Sequence, residues 1–301
     1  MDPNKCKSLV LFYPKPIKFH ESCIPQVFDI PLTTMKYIWT NPSSPEVYQK
    51  LIKSCKFFFV KNPILVISNA NYDNYTGWTY CNKDECDNEC FLSKHINIDI
   101  NNLFYKIWIV KRFCVDTNES SIFASRLISK ICRYDVKELK LCNQWIQYDK
   151  LKFLSKGVKK CSLYWNFIRD SNGEEVALEN IIQLFSKAEK IHMNFGNYSR
   201  NAACKSYDDF IDACKTVKNV ALFSVPNVFS VPDFYQHLKT SKCRSKIYIC
   251  SWNPIERLDE VIDEILSTTQ FSFVPPVLYY SHIDYTKLEI MKQRQEFASL
   301  I

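Results

Sequence analysis

Apolar residues fall along this chain in two periods. From about Leu103 onward, short runs place apolar side chains two residues apart, with cores at Ile107-Trp108-Ile109, Leu139-Lys140-Leu141, Cys161-Ser162-Leu163, Ile191-His192-Met193, Val220-Ala221-Leu222 and Ile247-Tyr248-Ile249. A period of two is that of a strand with one face buried. Polar gaps follow, and then sets spaced i, i+3, i+4, i+7: Leu178, Ile181, Ile182 and Phe185; Tyr207, Phe210, Ile211 and Cys214; Leu258, Val261, Ile262 and Ile265. That spacing puts four side chains on one side of a helix. Counted from Ile109 through Leu141, Leu163, Met193, Leu222 and Ile249, the intervals are 32, 22, 30, 29 and 27 residues. Leucine-rich repeats run at ~20–29 residues. The pattern therefore predicts an α/β fold over 103–301, an irregular leucine-rich-repeat-like solenoid of strand–helix units. Such units must stack, because one strand and one helix cannot bury their apolar faces alone. The stretch 277–280, after Pro275-Pro276, reads as a last strand, and 285–300 as a terminal helix that caps the array.

The front of the chain follows a different rhythm. The segment 30–62 reads as helix, turn, helix. Pro31 opens the first helix, with Leu32, Met35 and Ile38 on one face, and Asn41-Pro42-Ser43-Ser44 breaks it. Ser44 is the expected N-cap and Pro45 the first residue of the second, whose stripe is Tyr48, Leu51, Ile52 and Cys55 and whose stop is Asn62-Pro63. Residues 64–67 form a short β-type run. The stretch 71–89 is polar, aromatic and turn-rich, which reads as a long surface loop. Three regions result: a helical module over 24–63, a connecting strand and loop over 64–102, and the strand–helix region over 103–301.

Ile30-Pro31 with Met35 and Ile38, followed by Tyr48-Gln49-Lys50-Leu51-Ile52-Lys53-Ser54-Cys55-Lys56-Phe57-Phe58, resembles a degenerate F-box, a small α-helical module. Residues 227–238, the strand 246–250, the helix 258–266 and Pro275-Pro276 are similar to the divergent C-terminal regions of F-box-like proteins expanded in nematodes. Two departures stand out: Ile30 takes the place of the usual Leu, and the turn 41–45 replaces a Leu-rich middle segment. The resemblance implies a substrate receptor whose helical module grips a Skp-family linker of a cullin ubiquitin ligase, with the body selecting a protein target. It also implies Pro31, Met35, Ile38, Leu51 and Ile52 as linker-docking residues. The alternative is a free-standing repeat protein that binds protein or RNA with no ubiquitin connection. From spacing alone, the same stripes read as ordinary amphipathic helices packed on the body.

Composition narrows the field. With 301 residues, 47% hydrophobic and 24% charged, the chain can bury a substantial core. Only 4 glycines leave little for Gly-rich phosphate loops, which lowers any nucleotide-fold reading. The 14 scattered cysteines read as packing thiols of a reducing compartment. The apolar run 9–13 is too short for a signal h-region and no run of ~18 apolar residues occurs, so a cytosolic or nuclear protein without a membrane span is expected. The net charge of +7 is spread along the chain with no run of five, which suits acidic partners without indicating nucleic acid.

Few residues group for chemistry. Cys81, Cys86, Cys90 and His95 have metal-ligand character, but zinc knuckles favour two close Cys pairs, and Asp84, Glu85, Asp87 and Glu89 lie between these ligands. A solvated acidic loop with reduced thiols is the reading adopted, zinc the alternative; no cofactor is expected. His20, His95, His192, His237 and His282 are dispersed, and no nucleophile signature accompanies them, so no enzyme is expected. Asp259-Glu260 and Asp263-Glu264 alternate with a buried stripe and read as its solvated opposite side. Trp145, Tyr164, Trp165, Tyr198 and Trp252 all lie just after strand cores and form the expected partner surface. Such aromatics suit RNA stacking or protein hot spots, and the mild charge favours protein.

Overall fold

The computed structural model describes residues 29–81, 96–196, 201–252 and 257–300. Three short helices come first: α1 (Leu32–Thr40), α2 (Pro45–Ser54) and α3 (Lys56–Lys61). Ser44 caps α2, its side chain accepting from Val47 N at 3.3 Å, with Pro45 in the first turn. The second predicted helix is split at Cys55, where extended backbone ends α2 and the thiol accepts from Phe57 N to start α3. Met35, Trp39 and Phe58 make the buried centre of this module, with Ile38, Leu51, Ile52, Cys55 and Phe57 packed around them.

β1 (Ile64–Asp73) turns back into β2 (Gly77–Cys81), and β3 (Ile96–Asn97) pairs with β2; both pairings are antiparallel. The turn is built by Asp73, whose Oδ1 accepts from Tyr75 N and Thr76 N at 2.8 Å, and by Gly77 at φ +69°, a conformation that favours glycine. Part of the stretch read as a loop is thus a strand, with Trp78 and Tyr80 on the core side and Thr79 and Cys81 buried on the other, so that no alternation of apolar and polar positions marks it in the sequence.

β4 (Lys106–Asp116) lies parallel to β1 and is followed by α4 (Phe123–Ile128) and β5 (Ile131–Tyr134), which pairs with β4. Next come β6 (Glu138–Cys142), β7 (Trp145–Gln147), α5 (Tyr148–Leu154), β8 (Lys160–Tyr164), β9 (Phe167–Arg169), α6 (Leu178–Leu184), β10 (Lys190–Asn194), α7 (Tyr207–Cys214), β11 (Asn219–Phe223), α8 (Val231–Thr240), β12 (Lys246–Ser251), α9 (Leu258–Ser267), β13 (Val277–Tyr280) and α10 (Tyr285–Leu300). One 11-stranded sheet runs β13-β12-β11-β10-β8-β6-β4-β1-β2-β3, with β5 branching from β4; β7 and β9 form a separate parallel pair.

This architecture corrects the expected leucine-rich-repeat-like solenoid. The chain has a mixed α/β fold on one large, mostly parallel sheet, with ten helices among the described residues. The six strand cores and three helix faces are where the periodicity puts them, but they are not an array of like units. An antiparallel hairpin from 64–81 extends the same sheet, and α2 packs on it through Tyr48 against Ile64, Val66 and Trp108. Local period determines which residues face inward; it carries no information on what joins the sheet beside them.

One sheet face holds the main core. Ile107, Ile109, Leu139, Leu141, Leu163, Ile191, Met193, Leu222 and Ile249 meet Leu151, Ile181, Phe210, Phe234 and Ile262 from the helices. At the far end Gln295 of α10 is fully buried and donates to Ile247 O and Pro275 O, both at 3.0 Å. No helix among the described residues is long and apolar enough to cross a membrane.

Candidate partner-binding surfaces

The strands end along one edge of the sheet, and their exits are built alike. Asn143, Trp165 and Ser224, each immediately after a strand, take φ of 54°, 55° and 51°. Exit N–H groups bond to the neighbouring strand's end: Asn143 N to Tyr164 O at 2.9 Å, Trp165 N to Asn194 O at 2.7 Å, and Phe195 N to Phe223 O at 3.1 Å. Buried amides hold the turns from below. Gln144, with no exposed surface, donates to Thr117 Oγ1, Ser121 Oγ and Cys142 O and accepts from Ala124 N. Asn166 accepts from Gln144 N and donates to Leu141 O, while Asn201 accepts from Ile168 N and donates to Ile168 O and Val176 O. Buried side-chain amides satisfied this fully fix the backbone that carries the exposed residues.

Three predicted aromatics stand exposed at these exits, Trp145 and Trp165 beside the buried amides and Trp252 after β12. Trp145 is 39% exposed and stacks on Phe167 with ring centroids 4.7 Å apart, while the Arg169 guanidinium lies 5.0 Å from its ring. Trp165 is 46% exposed and leans over Gly196, where an added Cβ would meet its Cδ1 at 2.7 Å. Trp252 is 60% exposed and meets Tyr279 edge-on at 6.0 Å. Tyr164 is instead half-buried on the second sheet face, in one row with Cys142, Asn194, Phe223, Cys250 and Tyr279. Tyr198 lies outside the described residues.

That second face is polar. Its central row is Cys114, Lys140, Ser162, His192, Ala221 and Tyr248. Lys140 bonds Asp116 at 2.7 Å. Burial, with Lys190 nearby, holds the His192 imidazole below its ordinary value. The thiols are pushed the other way: burial takes Cys142 and Cys204 up to about 12 and raises Cys161 and Cys214 strongly. Near neutral pH these thiols stay protonated, the form that neither attacks a carbonyl nor ligates zinc. Among the described residues no group of three His, Cys, Asp or Glu is arranged to hold a metal. Cys81 is buried at the end of β2; Cys86, Cys90 and His95 lie outside the described residues.

The linker-docking set is divided by the structure. Pro31 is exposed ahead of α1, Met35 is buried, and Ile38, Leu51 and Ile52 are half-buried in the module's own centre. The apolar side chains α1 does offer to solvent are Leu32 and Tyr37, 71% and 68% exposed. Tyr37 is off the apolar stripe, and Leu32 was assigned to it; only knowing which side α3 covers distinguishes inside from outside. The Gln144 and Asn166 frame is not evident from periodicity, though an amide three residues past the cores ending at Leu141 and Leu163 is its signal. No protein-family model matches the chain, and no curated protein matches it.

Proposed function

We propose that the protein is a non-enzymatic interaction adaptor, a substrate receptor that docks a Skp-family linker of a cullin ubiquitin ligase through α1–α3 and grips a protein target along the strand-exit edge. The reading rests on one observation: Trp145, Trp165 and Trp252 are exposed at strand exits along one edge of the sheet, the first two on turns held by the buried amides Gln144 and Asn166. Tryptophan and arginine on a pre-organised scaffold are the chemistry of protein hot spots, since little conformational entropy is lost when a partner covers them. Such an adaptor works in the cytosol or nucleus.

The front half is tested with purified protein and a purified Skp-family linker. The expected result is a complex that Leu32→Asp combined with Tyr37→Asp abolishes, because both side chains are exposed and their loss spares the module's centre. Trp145→Ala and Trp252→Ala should leave that complex intact and remove captured target instead. Failure of the unaltered protein to bind the linker removes the ligase role.

A further inference from the structure

The opposite edge of the sheet, where the strands begin, carries a different chemistry. Four helix-to-strand turns share one pattern, a basic residue on each side of a buried small apolar one: Lys156-Gly157-Val158-Lys159, Lys187-Ala188-Glu189-Lys190, Lys215-Thr216-Val217-Lys218 and Lys242-Cys243-Arg244-Ser245-Lys246. Val158, Ala188, Val217 and Cys243 are buried and anchor the turns, which pushes the flanking lysines outward. The turns are bonded side by side: Glu189 N donates to Lys159 O at 2.8 Å, Asn219 N to Glu189 O at 3.0 Å, and Lys246 N to Lys218 O at 2.9 Å. At about 4.8 Å per strand, from β8 to β12 the four turns span about 14 Å.

Lys215 pairs with Asp212 and Lys246 with Glu296. Lys156, Lys159, Lys187, Lys190, Lys218 and Lys242 are exposed and make no ion pair among the described residues. The first lysine of each turn follows a helix end, where the helix dipole favours a cation. The second begins a strand and has no such reason. Lys160 and Lys190 are directly paired across β8 and β10, and like charges in that position destabilise a sheet. Lys160 is offset by Glu138 at 2.8 Å, whereas Lys190 makes no ion pair among the described residues; a local rule broken at a residue without such compensation is expected at a functional site.

We propose that this ridge binds an acidic, extended polypeptide segment of a partner. Nucleic acid fits less well. Glu189 stands within the ridge and Glu138 at its end, where a continuous phosphate backbone would be repelled and a polypeptide can place a neutral residue. The exposed tryptophans that could stack on bases lie at the other edge, about 13 Å away for a five-residue strand. The one arginine in these turns, Arg244, already donates to Ala298 O. The assignment goes beyond the adaptor reading: it needs no linker and gives a ligand class to a surface that reading leaves unused.

The test measures anisotropy of a labelled peptide of alternating Glu and Ser, and of a labelled DNA duplex, with the purified full chain. The peptide should bind, weaken as salt rises from about 50 to about 200 mM, and bind about tenfold more weakly to Lys190→Glu, whose Tm should equal or exceed that of the unaltered protein. Lys156→Gln, Lys218→Gln and Lys242→Gln combined should weaken it likewise, and Lys36→Gln with Lys53→Gln on the front helices should not. Preference for the duplex, no peptide binding, or equal loss in the front-helix variant would each overturn the proposal. Linker binding is read separately, so either proposal can fail while the other stands.

Discussion

His192 illustrates how much a single position can report. Its ring is half-buried on the polar sheet face, and both desolvation and the nearby Lys190 disfavour the imidazolium, so its folded pKa lies below the unfolded one. The unfolded chain therefore binds the proton more readily. Stability from this group is present above the unfolded pKa of ~6.5 and falls as pH drops through the window between the two values. Denaturant midpoints should decline from pH 7 toward pH 5 and do so less steeply in His192→Gln; parallel curves would deny His192 that role. The sequence marked His192 only as part of a strand core, since facing direction and neighbours come from the register. Gly196 is comparable. Its φ of +63° and the Trp165 ring above it predict that Gly196→Ala costs about 1–2 kcal/mol and alters tryptophan fluorescence.

Among the elements, α2 is the joint between the front module and the sheet. Tyr48, without exposed surface, sends its hydroxyl to Asn62 O at 2.6 Å and accepts from Ile64 N at 3.0 Å. Asn62 in turn donates to Trp39 O at 2.6 Å, and Arg133 donates to Pro42 O while stacking 4.6 Å from the Trp108 ring. Tyr48→Phe keeps the ring and strands the Ile64 N–H, so it should cost about 1–3 kcal/mol with an unchanged m-value; a neutral result would mean that water replaces the hydroxyl. Elements with strong periodicity were legible, as the faces of α6, α7 and α9 show; α10 and β13 also match, though neither is strongly periodic, with Pro275-Pro276 marking the start of the last strand. α5 was not, because Leu151 and Leu154 are its only fully buried residues and a stripe that short resembles a turn. β7 and β9 were missed for the same reason, at three residues each.

The whole molecule is polarised along its strands. Helix first turns, at the exit edge, hold acids such as Asp149, Glu179, Asp208 and Asp259, and the exposed tryptophans stand there too; the lysine turns occupy the other edge. None of this was visible as net charge, because +7 spread over 301 residues is an average over two unlike edges. The strands lie in chain order from β4 to β13 apart from the β5 branch and the separate β7–β9 pair, so most packing is between sequence neighbours and the far end can open without the middle. Gln295 is the lock at that end, bridging β12 and the segment before β13 from α10. Gln295→Leu removes both bonds, which tie α10 to β12 and to the segment before β13. Amide hydrogen exchange should then quicken in β12, β13 and α10 while β6 and β8 keep their protection. Equal acceleration across the sheet would instead identify a single cooperative unit, in which the end strands open only when the whole core does.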